Sequence, residues 1–203
     1  TLHSGVDAWL ARTPFLETAD FRFWQTYQQA VTAMLTDERA FVAQHAELSE
    51  PEKQRNFAEI DNSQKVFAAI FDPVAFADLQ KNGVFRFSSR TVQAALLINL
   101  YRDEPIFQMP FRFLTCLMDI DELFTTWRYR HALMADRMIG TRIGTGGSTG
   151  DKYLRSSTEK HKVFTDLFNL TTFFIPRSRL SPLPREVRKT LGFFYSGDRT
   201  SCQ

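Results

Sequence analysis

Cysteine is nearly missing from this chain: Cys116 and Cys202 are the only two in 203 residues. Two thiols so far apart exclude a disulfide framework and a cysteine-built metal cluster. Cys116, flanked by Leu114 and Leu117, is expected in the core. Long apolar runs are missing as well, since no stretch approaches the ~20 residues a bilayer span needs. Charge of one sign is also lacking. Lys and Arg number 25 against 23 Asp and Glu, leaving +2, and the two signs are interspersed. That balance excludes the strong field of a protein built for nucleic acid or an anionic membrane. No internal repeat and no strand-rich region is visible, so solenoids and sheet proteins are excluded.

What the chain has in quantity is aromatic carbon. Aromatic residues make up 14% of it and 20 residues are Phe, within a hydrophobic fraction of 43%. This suits one globular domain with a real core. Apolar positions at helical spacing predict helices over Gly5 to Arg12, Ala19 to about Glu47, Ser49 to Asp72 and Val74 to Gln80. Further helices are expected from Ser88 or Ser89 to Leu100, Pro110 to Ile139, Lys160 to Phe174 and Glu186 to Leu191. Ser49 to Glu52 has the form of a capping box. The helix from Pro110 to Ile139 is the longest and most apolar, and it is expected to be the spine of the core. Both faces of Lys160 to Phe174 are expected to be buried.

Histidine is scarce, with four in the chain. His3 and His45 carry no partner pattern, and His161, on a charged stretch, reads as solvated. His131 differs, because Trp127, His131, Met134 and Met138 fall at i, i+4, i+7 and i+11, one stripe holding an indole, an imidazole and two thioethers. A histidine on such a face is either a core residue bonded to a carbonyl or an axial ligand to haem iron. Spacing alone leaves both open. Without a Cys-x-x-Cys-His run, any haem would be held without thioether links.

The helix empties into Gly144 to Gly150, GTGGSTG. The loop fails the Walker pattern, because Thr149 stands where a glycine is required, and it fails G-x-G-x-x-G, because the third glycine arrives one residue late. A helix rather than a strand precedes it, which argues against a phosphate cradle on an α/β scaffold. It does supply close-approaching amides and hydroxyls, suited to a carboxylate, an ammonium or a propionate. A plain helix–helix connection has the same composition.

The run from Met118 to Arg177, MDIDELFTTWRYRHALMADRMIGTRIGTGGSTGDKYLRSSTEKHKVFTDLFNLTTFFIPR, resembles the C-terminal half of the tryptophan 2,3-dioxygenase family, in its longer animal-type members. Tyr101-Arg-Asp-Glu-Pro105, Trp9-Leu-Ala-Arg-Thr-Pro14 and Phe23-Trp24 match in the same order, so the resemblance spans nearly the whole chain. It implies an all-α bundle of long amphipathic helices, with haem b as cofactor and L-tryptophan and O2 as substrates. It also implies a homotetramer in the cytoplasm, with neither nucleic acid nor membrane as partner. The implied reaction opens the indole C2–C3 bond to give N-formylkynurenine, the first step of the kynurenine pathway.

By the resemblance, His131 matches the proximal haem ligand, with Trp127 and Met134 in the haem pocket. Thr145, after Gly144, matches the threonine that contacts the ammonium and carboxylate of bound tryptophan. Arg128 and Arg137 flank the ligand helix and are candidates for propionates, although an exposed face suits each. Trp9, Arg12 and Pro14 match part of a second, non-catalytic tryptophan site, where an arginine expected after Glu104-Pro105 is Ile106. The family's distal catalytic residues lie upstream, and none is assigned in this chain. The chain opens Thr1-Leu2-His3 without a methionine, so it is expected to be a C-terminal fragment with the missing N-terminal segment as a partner. Within 1–203, residues 1–83 are expected as peripheral helices, 84–177 as the haem and substrate core and 178–203 as a tail. Two competing readings are a related haem-dependent aromatic hydroxylase and a non-catalytic assembly fragment.

Overall fold

The computed structural model describes residues 1–13, 16–18, 21–139 and 162–190, and it is overwhelmingly helical there. Helix α1 (Leu2–Leu10) is capped by Thr1, whose hydroxyl oxygen accepts from the Ser4 N–H, and it buries Val6 and Leu10. A two-residue antiparallel ladder pairs Glu17–Thr18 (β1) with Phe21–Arg22 (β2), Glu17 opposite Arg22. That ladder takes residues expected in the next helix, so α2 begins only at Phe23 and runs Phe23–Gln44.

Helix α3 (Glu50–Phe71) packs against α2. The expected cap is present, with the Glu52 carboxylate accepting from the Ser49 N–H at 2.8 Å and from its hydroxyl at 2.5 Å. Helix α4 (Pro73–Lys81) opens on Asp72, whose carboxylate accepts from the N–H groups of Val74 at 2.7 Å and Ala75 at 3.4 Å. Asp72→Ala removes an oxygen that satisfies otherwise orphaned amides, so it is expected to lower stability by about 1 kcal/mol, read as a reduced thermal midpoint. The chain leaves α4 through Gly83 at φ 72, a left-handed conformation that favours glycine.

The centre of the core is α5 (Ser89–Leu100), not the longer helix that follows it. Val92, Ala94, Ala95, Leu96, Leu97, Ile98 and Leu100 are all buried, because the run from Val92 to Leu100 is interrupted only by Gln93 and Asn99. Helix α6 (Pro105–Ile139) packs on α5 and buries Phe107, Leu114 and Leu117. It starts earlier than expected, with Pro105 at its opening, where a missing N–H costs nothing, and it accommodates Pro110 within it. Cys116 is exposed rather than in the core, because it lies off the stripe defined by Leu114 and Leu117.

Beyond residue 161 the expected helix through Phe174 is replaced by a short α7 (Thr165–Asn169) and a 3-10 turn, Leu170–Phe173. The reason is visible at its start. The N–H groups of Val163 and Phe164 are taken by the Asp121 carboxylate instead of by carbonyls one turn back. Leu167, Leu170 and Phe173 are buried, but the expected burial of both faces is not met, since Phe168 is only half-buried and Thr171 and Thr172 are exposed. A second 3-10 turn (Arg177–Arg179) and α8 (Arg185–Thr190) follow. Tyr27 of α2 donates to the Phe173 carbonyl, and Tyr101 donates to the Ser181 carbonyl at 2.8 Å with the Arg177 guanidinium 4.6 Å above its ring. Burial pushes both phenols above their ordinary range. No helix among the described residues is long and apolar enough to cross a membrane.

Candidate functional site

The C-terminal two-thirds of α6 is amphipathic in an unusual sense, with its apolar stripe facing outward. Ile120, Leu123, Phe124, Trp127, Met134 and Met138 are all exposed, Trp127 at 60% and Met138 at 78%. Ile120, Leu123, Phe124 and Trp127 line a shallow apolar depression of about 350 Å³. His131 lies on this stripe and is itself exposed. Its imidazole stacks on the Trp127 indole, ring centres 5.3 Å apart and planes 12° apart. Of the two readings that spacing left open, the core histidine is removed, because an exposed ring needs no buried carbonyl to satisfy it.

The imidazole therefore stands on an aromatic and thioether surface, available to a ligand that brings its own apolar area. Those residues fit a porphyrin: an imidazole for an axial bond, with indole and thioether groups beside it to cover the macrocycle. No cluster of three or more His, Cys, Asp or Glu able to hold a metal ion occurs among the described residues. Gly144 and Thr145, the candidate head-group contacts, lie outside the described residues. A larger groove of about 540 Å³ runs between α2 and α3, floored by Val31, Leu35, Ile60, Phe67 and Phe71, and it shares no residue with the His131 stripe.

Beneath the stripe sit carboxylates that sequence reasoning passed over. Asp121, 1% exposed, accepts from the N–H groups of Val163 at 2.9 Å and Phe164 at 2.8 Å. Asp166, also 1% exposed, accepts from the amides of Arg86 and, at 2.9 Å, Phe87. The Arg86 guanidinium lies 3.5 Å from it and His3 Nε2 lies 3.1 Å from it. His3, which carries no partner pattern in the sequence, is held against Asp166 and stacks on Phe87 with ring centres 4.4 Å apart. A signal for both acids existed in the sequence. Asp121 continues the Leu114 and Leu117 stripe at helical spacing, and Asp166 interrupts an aromatic run. A charged group in an apolar register is a buried acceptor looking for donors.

Asp7 ties α1 to the start of α5, accepting from the Ser88 N–H at 2.9 Å and the Ser88 hydroxyl at 3.1 Å. Burial alone would raise its pKa, but hydrogen bonds from Thr91 and Ser88, with His3 nearby, outweigh burial and hold it below the usual value. A carboxyl depressed on folding stabilises the fold above the ordinary carboxylate range. That contribution is lost as pH falls through the folded-state value.

The remaining candidates fall elsewhere. Trp9, near the end of α1, packs edge-on against Phe113 of α6 with ring centres 5.0 Å apart, and Arg12 donates to the Ala8 carbonyl at 3.0 Å. Pro14 lies outside the described residues. Ile106 packs against the core and offers no charge to a ligand. Phe113 and His131 are 18 positions apart on one helix, about 27 Å along its axis, so Trp9 and His131 are not parts of one site.

The described residues form a helical scaffold that displays a helix-borne imidazole on an exposed aromatic stripe, a surface suited to holding a flat apolar ligand. The sequence profile of tryptophan 2,3-dioxygenase matches residues 1–174, and the chain belongs to that family. It is 51% identical over 195 residues to the tryptophan 2,3-dioxygenase of Bdellovibrio bacteriovorus, a match covering 96% of this chain and 54% of the relative. It is 45% identical over 189 residues to that of Alteromonas mediterranea, covering 93% and 52% respectively. The chain thus spans about half the length of the curated relatives it matches.

Proposed function

We propose that this chain forms the proximal, haem-ligating half of an enzyme that opens the indole ring of L-tryptophan with O2 to give N-formylkynurenine. The observation that carries the reading is the exposed His131 on the aromatic stripe of α6, in a chain whose family match runs through that helix. Bound haem b supplies the oxygen-activating redox chemistry. The chain's own part is to hold and orient. His131 offers its imidazole as axial ligand, while Trp127 and Met134 present apolar area that keeps water from the proximal side. Thr145 and the amides around Gly144 grip the ammonium and carboxylate of tryptophan, which contributes through orientation.

The exposed stripe of α6 is also too large and too apolar to stand as free surface. An upstream segment of the protein and further copies in a homotetramer are its proposed cover. At the second tryptophan site proposed on Trp9, Arg12 and Pro14, Ile106 stands where the resemblance expects an arginine and packs against the core, so position 106 brings no cation to a ligand there. In the full-length enzyme, Thr145→Ala is expected to raise the tryptophan KM by about 10- to 100-fold, the equivalent of 1.5–3 kcal/mol for a hydrogen bond to a charged group. Steady-state kinetics check this, and an unchanged KM moves the head-group site away from Thr145.

A further inference from the structure

We infer that Asp121 is a positioning residue for His131, a role that rests on the reading of His131 as the iron ligand. Beyond Leu117, the buried side chains among the described residues of α6 are only Asp121 and Ala132. Ala132 adds a small apolar contact, which is non-directional. Asp121 adds direction. Its two carboxylate oxygens each take one of two consecutive amides, Val163 and Phe164, at 2.9 and 2.8 Å, which fixes both the roll of α6 and its distance from the body.

The segment that donates those amides is itself anchored. Phe164 is 1% exposed, and two residues on, Asp166 is bound by Arg86, Phe87 and His3. The outer part of α6 is thus tied through the Asp121 carboxylate to a frame that includes α1 and the start of α5. His131 is ten residues beyond Asp121, about 15 Å along the helix. A swing of about 5° at Asp121 displaces the imidazole by about 1.3 Å over that lever. Metal–ligand distances tolerate only about 0.2 Å, so a loose tether at Asp121 is felt at the iron.

The test compares Asp121→Asn, Asp121→Glu and wild type in the full-length protein. The asparagine places an NH2 against one of the two amides, whereas glutamate keeps both acceptor oxygens on a longer arm. Three readouts are taken: the iron–histidine stretching band of the ferrous haem protein, the rate of haem release, and hydrogen exchange at the Val163 and Phe164 amides in the haem-free protein. Asp121→Asn is expected to release haem at least about fivefold faster, to shift or broaden the iron–histidine band, and to lose about tenfold in amide protection, with partial recovery in Asp121→Glu. Lost amide protection with an unchanged band and release rate overturns the proposal, leaving Asp121 as a brace for 163–164 only. Unchanged amide protection overturns it too. If Asp121→Asn fails to fold, Asp121→Glu carries the same comparison. A failure of the ligand reading shows separately, as an iron–histidine band that survives His131→Ala.

Discussion

His131→Ala, in the full-length protein reconstituted with haemin and reduced, is expected to abolish the Soret band of imidazole-ligated iron or to shift it outright. The expectation follows from the surroundings of this side chain. It is the one histidine on the apolar stripe of α6, and no cluster of metal-ligating side chains among the described residues stands ready to replace it. Because the ring is exposed, its removal leaves no cavity, and the main loss to the fold is its stacking on Trp127, about 0.5–1.5 kcal/mol. Compared without haem, the variant and wild type should therefore have nearly equal thermal midpoints, whereas only wild type gains the haem spectrum and the added stability of bound haem, which separates ligation from folding. Added imidazole should restore part of the band by occupying the vacated axial position. A spectrum indistinguishable from wild type removes His131 as the ligand, and with it the proposed activity.

Asp166→Ala has the largest expected effect on the fold. Its carboxylate is the common acceptor for the Arg86 and Phe87 amides and for His3, at 1% exposure. Deleting it strands two backbone donors away from water, each costing about 1–3 kcal/mol, so a loss of about 3 kcal/mol or more is expected. For a chain of this size that corresponds to a fall of about 6–12 °C in the unfolding midpoint. The exposed ion pair of Arg39 and Asp61, each about half exposed, provides the contrast. Asp61→Ala should cost no more than about 1 kcal/mol, because water screens the pair and solvates whichever partner remains. Equal midpoints for the two variants would mean that Asp166 is not the junction described above.

Much of this was legible in the residues. The period of the apolar positions located α2 through α6 to within a few residues, and the capping box at Ser49 marked where α3 opens. The composite match from Trp9 to Arg177 pointed to the family that the profile then identified. The failures share a cause. Lys160 to Phe174 has the apolar rhythm of a helix, but Asp121, some forty positions earlier, captures the amides that would begin it. His3 shows no partner pattern in the sequence because its partner is Asp166, 163 residues away. Periodicity registers hydrophobic faces and local caps, and it is blind to an acceptor delivered from another part of the chain.

The order of residues by itself determined that this protein is all-helical, where most helices begin, and that one histidine shares a stripe with Trp127, Met134 and Met138. Which way that stripe faces was decided only by the tertiary structure. Both α5 and α6 are rich in apolar residues, and only one of them can occupy the centre. The shorter α5 takes it, because its run from Val92 to Leu100 carries no charged side chain and only Gln93 and Asn99 for water to solvate. Helix α6, with Arg128, Arg130 and Arg137 around it, is held at the edge with Asp121 turned inward and His131 outward. Burial goes to the segment with the least polar surface to desolvate, and the helix left outside keeps its imidazole available.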